Sequence, residues 1–157
     1  MATTVASATL KITLKEDIVL NGRQQGSESI LSIPSINEIS KRIATVSTTE
    51  SEILAFDTST IAAGKYIRAG IRYIRITNLD DTNHVTLTFK NHNDDEFAVK
   101  LDRGQSYIYN ADLDNGAVAT LDAIDGTGLT LSLGDLVNIT ADADDAACDI
   151  EIFVAST

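Results

Sequence analysis

The 157-residue sequence has no tryptophan, one proline and one cysteine, Cys148. A single cysteine excludes a disulfide within the chain and a zinc site made of several cysteines. The opening segment "MATTVASATL" has no basic residue and no apolar run of signal-peptide length, and no apolar run elsewhere has the length of a membrane-spanning helix. We therefore expect a chain that has no membrane partner and is kept in a cytoplasm or released with a particle by lysis.

Positive charge is missing from the last third of the chain. Residues 104–157 hold 10 acids and no Lys or Arg, whereas residues 1–103 hold all 12 basic residues and 13 acids. The net charge of −11 makes a nucleic-acid backbone an unfavourable partner. The acids are expected to lie in solvated turns that aid solubility. Alternatively, an acidic face of one copy meets the "KYIRAGIR" region of a neighbouring copy.

Residue types that carry nucleophilic catalysis are few. His84 and His92 are the only histidines, and both fall at outward or loop positions of the predicted strands. No "GxSxG" elbow, phosphate loop or "HExxH" helix is present. Cys148 shares a strand face with Ile150 and Ile152, which predicts a buried apolar residue rather than a reactive thiol. The sequence therefore predicts no catalytic residue and no cofactor.

Carboxylates are plentiful and occur in clusters. The clusters are Asp80-Asp81, Asp94-Asp95-Glu96, Asp112 with Asp114, and Asp142 with Asp144 and Asp145. A glycosidase needs two carboxyl groups about 5 to 10 Å apart across a cleft, which neighbouring acids in turns do not indicate. The segment "DLDNG" resembles only the start of an EF-hand loop, because Gly116 stands where a ligand belongs and residue 123 is Ala. We expect solvated turns and no metal site.

Aromatic residues, which glycan-binding modules stack on sugar rings, make up 5% of the chain. The tyrosines are Tyr66, Tyr73, Tyr107 and Tyr109. Tyr107 and Tyr109 share one strand face and form either a small exposed patch or a half-buried pair with hydrated hydroxyls. The basic set Lys65, Arg68, Arg72 and Arg75 lacks a shared strand face and is outweighed by the overall negative charge, which disfavours a nucleic-acid site.

Alternating apolar and polar residues predict strands along most of the chain. "ATLKITLK" predicts a half-buried strand with Ala8, Leu10, Ile12 and Leu14 on one face, followed by a tight turn at Asn21-Gly22. "ESILSIPSINEISKRIATVST" predicts two short strands near its proline. "VTLTFK" and "FAVKL" alternate clearly, and "TNLDDTN" before them is interpreted as a hairpin loop.

The later segments give weaker signals. "TSTIAAGKYIRAG" and "LDNGAVATLDAIDGTG" read as irregular connections, and "LTLSLGDLVNIT" predicts a strand through Leu129, Leu131 and Leu133, a turn at Gly134-Asp135 and another strand. The whole pattern predicts an all-β fold, an antiparallel β-sandwich or jelly roll of about 8 to 10 short strands. We expect an N-terminal arm at residues 1–8 and a single domain at residues 9–157.

The middle of the chain resembles small structural proteins of tailed bacteriophages, especially marine and cyanobacterial ones. The resemblance rests on "YIRITNLDDTNHVTLTFKNHNDDEFAVKLDRGQSYIY", with its arginine-bearing strand, "TNLD", "VxLxF" and "FxVKL" strands, and "GxS" before an aromatic strand. The final "ACDIEIFVAST" is similar to the closing strand of the same proteins. The similar segments cover roughly residues 66–110 and 146–157.

The resemblance implies a non-enzymatic virion protein, with no catalytic residues. Our first hypothesis is a capsid decoration or cement protein on the outer capsid surface, synthesised in the host cytoplasm. It would form a homo-oligomer, a trimer in this hypothesis, and bind the major capsid protein or other virion proteins. The predicted subunit contacts are Lys65, Arg68, Arg72, Arg75, Asp80 and Asp81. The alternatives are a tail or fibre-associated structural component, a host-glycan-binding module and, last, an enzyme that uses two of the aspartates.

Overall fold

The computed structural model describes residues 5–59, 62–123 and 131–157, with the backbone alone at 119–123 and 131–134. Fourteen strands and one 3₁₀ turn, Arg68–Gly70, make up the regular structure of these ranges. The strands are β1 Ala8–Lys15, β2 Val19–Leu20, β3 Arg23–Gln24, β4 Glu28–Ile36, β5 Glu38–Val46, β6 Ser51–Asp57, β7 Lys65–Ile67, β8 Ile71–Asn78, β9 Val85–Asn91, β10 Glu96–Leu101, β11 Ser106–Asn110, β12 Val118–Ala123, β13 Leu131–Ala143 and β14 Cys148–Ser156. Within the described part of the chain, no helix has the length and apolarity that a membrane crossing requires.

Two sheets pack face to face. Sheet I has the order β5-β14-β8-β11, and sheet II has the order β10-β9-β13-β6, with β7 beside β6 and β12 beside the first part of β13. All of these pairs are antiparallel except β6 with β7. Counted along the chain, the eight main strands lie in the orders 1-8-3-6 and 2-7-4-5, which is a jelly-roll arrangement. The structure confirms the predicted all-β antiparallel sandwich.

The core lies between the two sheets and uses the alternate residues that the sequence pattern predicts. On β14 and β9 the inward residues, each at most 1% exposed, are Cys148, Ile150, Ile152, Val154, Val85, Leu87 and Phe89. The ring of Phe89 stacks on that of Phe97 in β10 with centroids 4.6 Å apart. Because burying one such side chain contributes on the order of 1.5 to 3 kcal/mol, this interface dominates the stability of the sandwich.

The segment "TNLDDTN" connects the two sheets. It follows β8, which pairs with β11 and β14, and precedes β9, which pairs with β10 and β13. The prediction of a hairpin loop here is therefore wrong. Alternation identifies the buried face of a strand but not the strand it pairs with, and in a jelly roll most consecutive strands lie in different sheets.

The first strands form a long hairpin. β1 pairs antiparallel with β4, and β2 pairs with β3 on either side of a turn at Asn21-Gly22. The φ angles of Asn21 and Gly22 are 51° and 75°, which confirms the predicted tight turn and fits type I′ geometry. We call residues 8–36 the projecting hairpin and residues 37–157 the body.

A bulge marks the base of the projecting hairpin. Between Ala8 and Leu10 the register of β1 advances by two residues while β4 advances by three, from Ile33 to Ile36. The extra residue falls at Pro34 and Ser35, and Ser35 has a φ of 62°. A bulge accommodates proline and bends a strand pair. The two strands predicted around the proline are confirmed as β4 and β5.

Three predictions of irregular structure or turn are wrong. Lys65–Ile67 forms β7, and Val118–Ala123 forms β12. β13 continues through Gly134-Asp135, where its partner changes from β12 to β9 and β6. Pairing of Gly134 and Asp135 with β12 overrides the local turn preference of Gly and Asp. Residues 124–130, which include Leu129, lie outside the described residues.

Candidate interaction surface

The projecting hairpin exposes a large apolar surface. Every residue from 13 to 32 except Gly26 is exposed. Six of these residues are large and aliphatic, with 39% to 65% of their surface accessible: Leu14, Ile18, Val19, Leu20, Ile30 and Leu31. A two-stranded hairpin is marginally stable at best in water, and clustered exposed aliphatic side chains mark interaction sites. The hairpin therefore has the properties of a segment that another molecule covers.

The base of the hairpin packs on the body. Its Leu10 and Ile33 belong to a small apolar cluster with Tyr73 and Phe153 on the outer face of sheet I. The aromatic rings of Tyr73 and Phe153 meet edge to face with centroids 6.0 Å apart. The predicted half-buried strand is thus wrong for Ala8 and Leu14, which are exposed, and holds for Leu10 and Ile12.

The hairpin runs across sheet I toward β11. Its base packs against β8 and β14, while Leu14 and Leu31, further along, line a cleft of about 140 Å³ together with Ile108 and Asn110 of β11. The base of the hairpin therefore lies over β8 and β14, and the residues further along it approach β11. Because Leu14 and Leu31 already lie beside β11, we infer that the tip, at Ile18–Arg23, extends toward or past this edge of the sheet.

The opposite edge of sheet I carries a second apolar surface. Ile39 and Ile43 on the outer face of β5 are 65% and 64% exposed, with exposed Lys41 between them. β5 has nine residues and pairs with β14, and no other strand of the described residues pairs with it. Edge strands with free backbone groups and apolar side chains are templates for contact with another chain. We call this surface the β5 edge.

The centre of the outer face is occupied by a charged cluster. The Glu151 carboxylate lies 2.9 Å from the Lys41 ammonium and 2.5 Å from the Arg75 guanidinium. Arg75 also donates to the Thr77 hydroxyl at 2.7 Å. Hydrogen bonds from Lys41 and then Arg75 lower the pKa of Glu151. The two cations share the single Glu151 carboxylate, so Arg75 does not present a free cation to a partner, although the cluster keeps one net positive charge.

The other basic residues predicted as subunit contacts are also engaged within the chain. They are Lys65 on β7, Arg68 in the 3₁₀ turn and Arg72 on β8. The Lys65 ammonium lies 2.9 Å from the Asp57 carboxylate, and the Arg68 guanidinium lies 3.4 Å from the Asp135 carboxylate. The Arg72 guanidinium donates to the carbonyl oxygens of Ala69 at 2.7 Å and Ile71 at 3.0 Å. The structure does not gather these residues into one basic face, and their role in subunit contact stays a prediction.

Asp80 lies in a tightly hydrogen-bonded connection between the sheets. The fully buried Asn78 donates from its amide to the carbonyl oxygens of Asn83 at 2.9 Å and Leu101 at 3.1 Å. The Asp80 carboxylate accepts from the backbone N–H groups of Asn83 at 2.6 Å and Thr82 at 2.8 Å, and these bonds lower the pKa of Asp80. The connection is thereby held in one conformation.

An open recess of about 510 Å³ lies beside this connection. Its lining residues are Thr45, Leu79, Asp80, Asp81, Ala147 and Asp149. Thr45 follows Ile43 on the outer face of β5, and Leu79 is 47% exposed. None of the three carboxylates forms an ion pair among the described residues. We call this feature the acidic recess.

The remaining carboxylates and histidines serve local structure. The Asp112 carboxylate accepts from the N–H groups of Asp114 at 2.8 Å and Asn115 at 2.7 Å, which closes its own turn. His84 Nδ1 lies 3.0 Å from the Asp144 carboxylate. His92 Nδ1 accepts from a backbone N–H at 3.1 Å. Across residues 5–59, 62–123 and 131–157, no group of three or more His, Cys, Asp or Glu is arranged to hold a metal ion.

The cysteine and the aromatic side chains are covered. Cys148 is fully buried as predicted, and burial raises the pKa of its thiol. All eight aromatic residues lie in described parts of the chain and none is exposed. Tyr107 and Tyr109 pack partly buried against the core, and burial raises the pKa of Tyr109 to about 12. The alternative of an exposed tyrosine patch is therefore wrong.

No protein-family model matches this chain, and no curated protein matches it. Among solved structures, the chain is similar to one described as "Bacillus endospore appendages form a novel family of disulfide-linked pili". The two chains share 10% sequence identity, and the similarity covers 100% of this chain and 96% of the other with a TM-score of 0.40. A similarity at this level carries no argument about function.

Sequence reasoning missed the projecting hairpin and the β5 edge as surfaces. A signal was present: Ile18, Val19 and Leu20 directly precede the Asn21-Gly22 turn, where solvated residues are the norm. Ile30 and Leu31 are also neighbours in sequence, so both faces of β4 carry aliphatic side chains. A strand pair that is apolar on both faces and at its tip indicates contact with another molecule.

Proposed function

We propose that this chain is a non-enzymatic structural subunit of a bacteriophage particle, and that it acts as a capsid decoration or cement protein. The observation that carries the proposal is the projecting hairpin, with its six exposed aliphatic residues on an otherwise well-packed jelly roll. A protein that binds its neighbours through an extended apolar segment and has a rigid body suits a repetitive assembly. The resemblance of residues 66–110 and 146–157 to phage structural proteins supports the particle type.

In this proposal the body lies on the outer capsid surface. The projecting hairpin and the connections at the ends of the sheets contact neighbouring copies and the major capsid protein, and the subunit is a trimer. Several weak contacts made by one oligomer combine into strong binding, because each contact after the first is intramolecular. Such bridging would stabilise a shell against the pressure of packaged DNA.

A reconstruction of purified particles tests the location. We expect jelly-roll density on the outer capsid surface, in a copy number comparable to that of the capsid subunit. Density confined to the tail, in a few copies, would overturn the cement role and favour a tail or fibre-associated component. Jelly-roll density inside the shell would contradict both.

A stability assay tests the cement role separately from the location. Particles without this protein should release their DNA at a lower temperature than complete particles, and adding back the purified protein should restore the original value. Unchanged release would show that the protein decorates the shell without stabilising it. We expect no signal on glycan arrays, because none of the eight aromatic residues is exposed.

A further inference from the structure

We propose that copies of this chain bind one another head to tail, with the tip of the projecting hairpin of one copy packed on the β5 edge and acidic recess of the next. The tip is Ile18–Arg23, and the acceptor surface centres on Ile39, Ile43 and Leu79. This contact names a second copy of the chain as the partner of the hairpin. It does not depend on the particle in which the chain works.

The positions of the two surfaces favour a contact between copies rather than within one. The hairpin reaches β11 at Leu14 and Leu31, before its tip, whereas Ile39 and Ile43 lie on β5 at the opposite edge of sheet I. β8 and β14 lie between the two edge strands, so three strand spacings of roughly 4.8 Å each separate the edges. Two different complementary surfaces at opposite edges make a heterologous contact, which closes into a ring when the rotation between copies allows it.

The apolar surfaces of tip and acceptor are of the same kind. Ile18, Val19 and Leu20 at the tip are 53% to 65% exposed, and Ile39 and Ile43 at the acceptor are 64% to 65% exposed. Both patches are aliphatic, and each includes a strand that pairs on one side only with strands in the described part of the chain. Packing one patch on the other removes both from water and supports a hairpin that is marginally stable alone.

The charges of the hairpin also favour this partner. The projecting hairpin contains three acids and three bases, so it is neutral, and the net charge of −11 resides in the rest of the chain. Lys11, Lys15 and Arg23 form no ion pair among the described residues. Two bodies of like charge repel, so the neutral hairpin is the part of one copy that another can approach most easily.

The acceptor supplies the opposite charge. The acidic recess lies next to the Ile43 end of β5, and among the described residues no Lys or Arg side chain pairs with its Asp80, Asp81 or Asp149 carboxylate. A tip seated along β5 brings Arg23 toward this recess. Asp80 and Asp81, predicted from the sequence as subunit contacts, then meet the hairpin of a neighbour rather than a basic face formed by Arg68 and its neighbours. Charge complementarity of this kind fixes orientation and register.

Sedimentation velocity of the full chain tests the contact. We expect the wild-type chain to sediment as a small closed oligomer of the 16.8 kDa subunit. Leu20→Asp at the tip and Ile43→Asp at the acceptor should each raise the dissociation constant by roughly 100-fold or more, because each places an unpaired charge in an apolar contact. The matched control is Leu113→Asp, since Leu113 is 58% exposed and Leu20 is 59% exposed. The control should sediment like the wild type.

Mixing the two interface variants tests the head-to-tail arrangement. The Leu20→Asp copy keeps an intact acceptor, and the Ile43→Asp copy keeps an intact hairpin. In the mixture, the intact hairpin of the Ile43→Asp copy should pack on the intact acceptor of the Leu20→Asp copy. The resulting heterodimer cannot close into a ring, because its remaining hairpin and acceptor are both altered. Circular dichroism should show that all variants keep the β-fold of the wild type.

Three results would overturn the proposal: a wild-type chain that stays monomeric at high concentration, an oligomer indifferent to Leu20→Asp, or a mixture without heterodimer. A monomeric wild-type chain that still enters particles through its hairpin would refute self-contact while leaving the phage-particle role intact. An oligomeric chain that is found in no particle would leave the self-contact intact and refute the phage-particle role. The failures of the two proposals are therefore distinguishable.

Discussion

The body and the projecting hairpin are built from the same kind of strand but differ in what covers it. In β9 the alternate residues Val85, Leu87 and Phe89 are fully buried. In β1 the same alternation leaves Leu14 55% exposed. The sequence pattern is a statement about which face of a strand is apolar. Whether that face is covered by the same chain depends on which elements pack against it.

The difference has a physical consequence for stability. We expect the body to form one cooperative unit because its sheets share a core, whereas the residues of the hairpin beyond its base are exposed, apart from Gly26, and belong to neither buried cluster. Regions with few buried contacts open at low free energy without unfolding the whole protein. Matched substitutions in the hairpin and the body should therefore change the free energy of global unfolding by different amounts. Equal changes would show that the two regions do not differ in this way.

A leucine truncation gives the largest expected contrast. Leu87→Ala should lower the free energy of unfolding by about 3 kcal/mol, because it leaves a cavity in a core position that is 0% exposed. Leu20→Ala removes the same atoms from an exposed position and should change it by less than about 0.5 kcal/mol. Urea denaturation of the dilute monomer measures both. Comparable losses would show that the hairpin tip is part of the cooperative core.

An asparagine truncation should give the next largest effect. Asn78→Ala removes an amide that satisfies two carbonyl groups and an N–H in the buried connection between the sheets, and should cost about 2 kcal/mol. Asn21→Ala, at the exposed turn of the hairpin, should leave the denaturation midpoint nearly unchanged. If Asn78→Ala also left the denaturation midpoint unchanged, the hydrogen bonds of Asn78 would not stabilise the connection between the sheets.

The sequence could predict the sandwich because its core strands alternate strictly. Cys148, Ile150 and Ile152 follow the period of two residues, and burial at these positions needs no knowledge of topology. Pairing could not be predicted in the same way, because β8 and β9 are neighbours in the chain yet lie in different sheets. The interaction surface was missed for a related reason. Leu10 and Leu14 belong to one alternating run, and only the fold separates the packed residue from the exposed one.

Two glycines allow a smaller and more closely matched comparison. Gly22 in the hairpin and Gly104 in the body have φ angles of 75° and 70°, and an added Cβ would meet nothing within 4 Å at either position. Gly104→Ala should destabilise the body by about 1 kcal/mol through backbone strain alone. Gly22→Ala carries the same strain but should speed hydrogen exchange only in the hairpin. Faster exchange throughout the body in the Gly22 variant would contradict local opening.

Acid sensitivity should show the smallest contrast. The Lys65 ammonium and the Thr58 N–H lower the pKa of Asp57 on β6 from 3.8 to about 2. A lowered pKa in the folded state gives stability that is present above the unfolded value of 3.8 and is lost as the pH falls through about 2. In the Asp57→Asn variant, the free energy of unfolding should therefore fall less steeply with decreasing pH over this interval.

The matched hairpin change is Asp17→Asn. Asp17 accepts a hydrogen bond from the Gln24 amide at 2.6 Å, a neutral donor on the opposite strand of the hairpin. If the hairpin opens without unfolding the body, as we expect, the Asp17 variant keeps the wild-type dependence of the unfolding midpoint on pH. Denaturation series between about pH 5 and pH 2 compare the variants. An equally shallow pH dependence of unfolding in the Asp57→Asn and Asp17→Asn variants would show that the hairpin and the body unfold as one unit. It would contradict the view of the hairpin as a separately opening segment that a second copy stabilises.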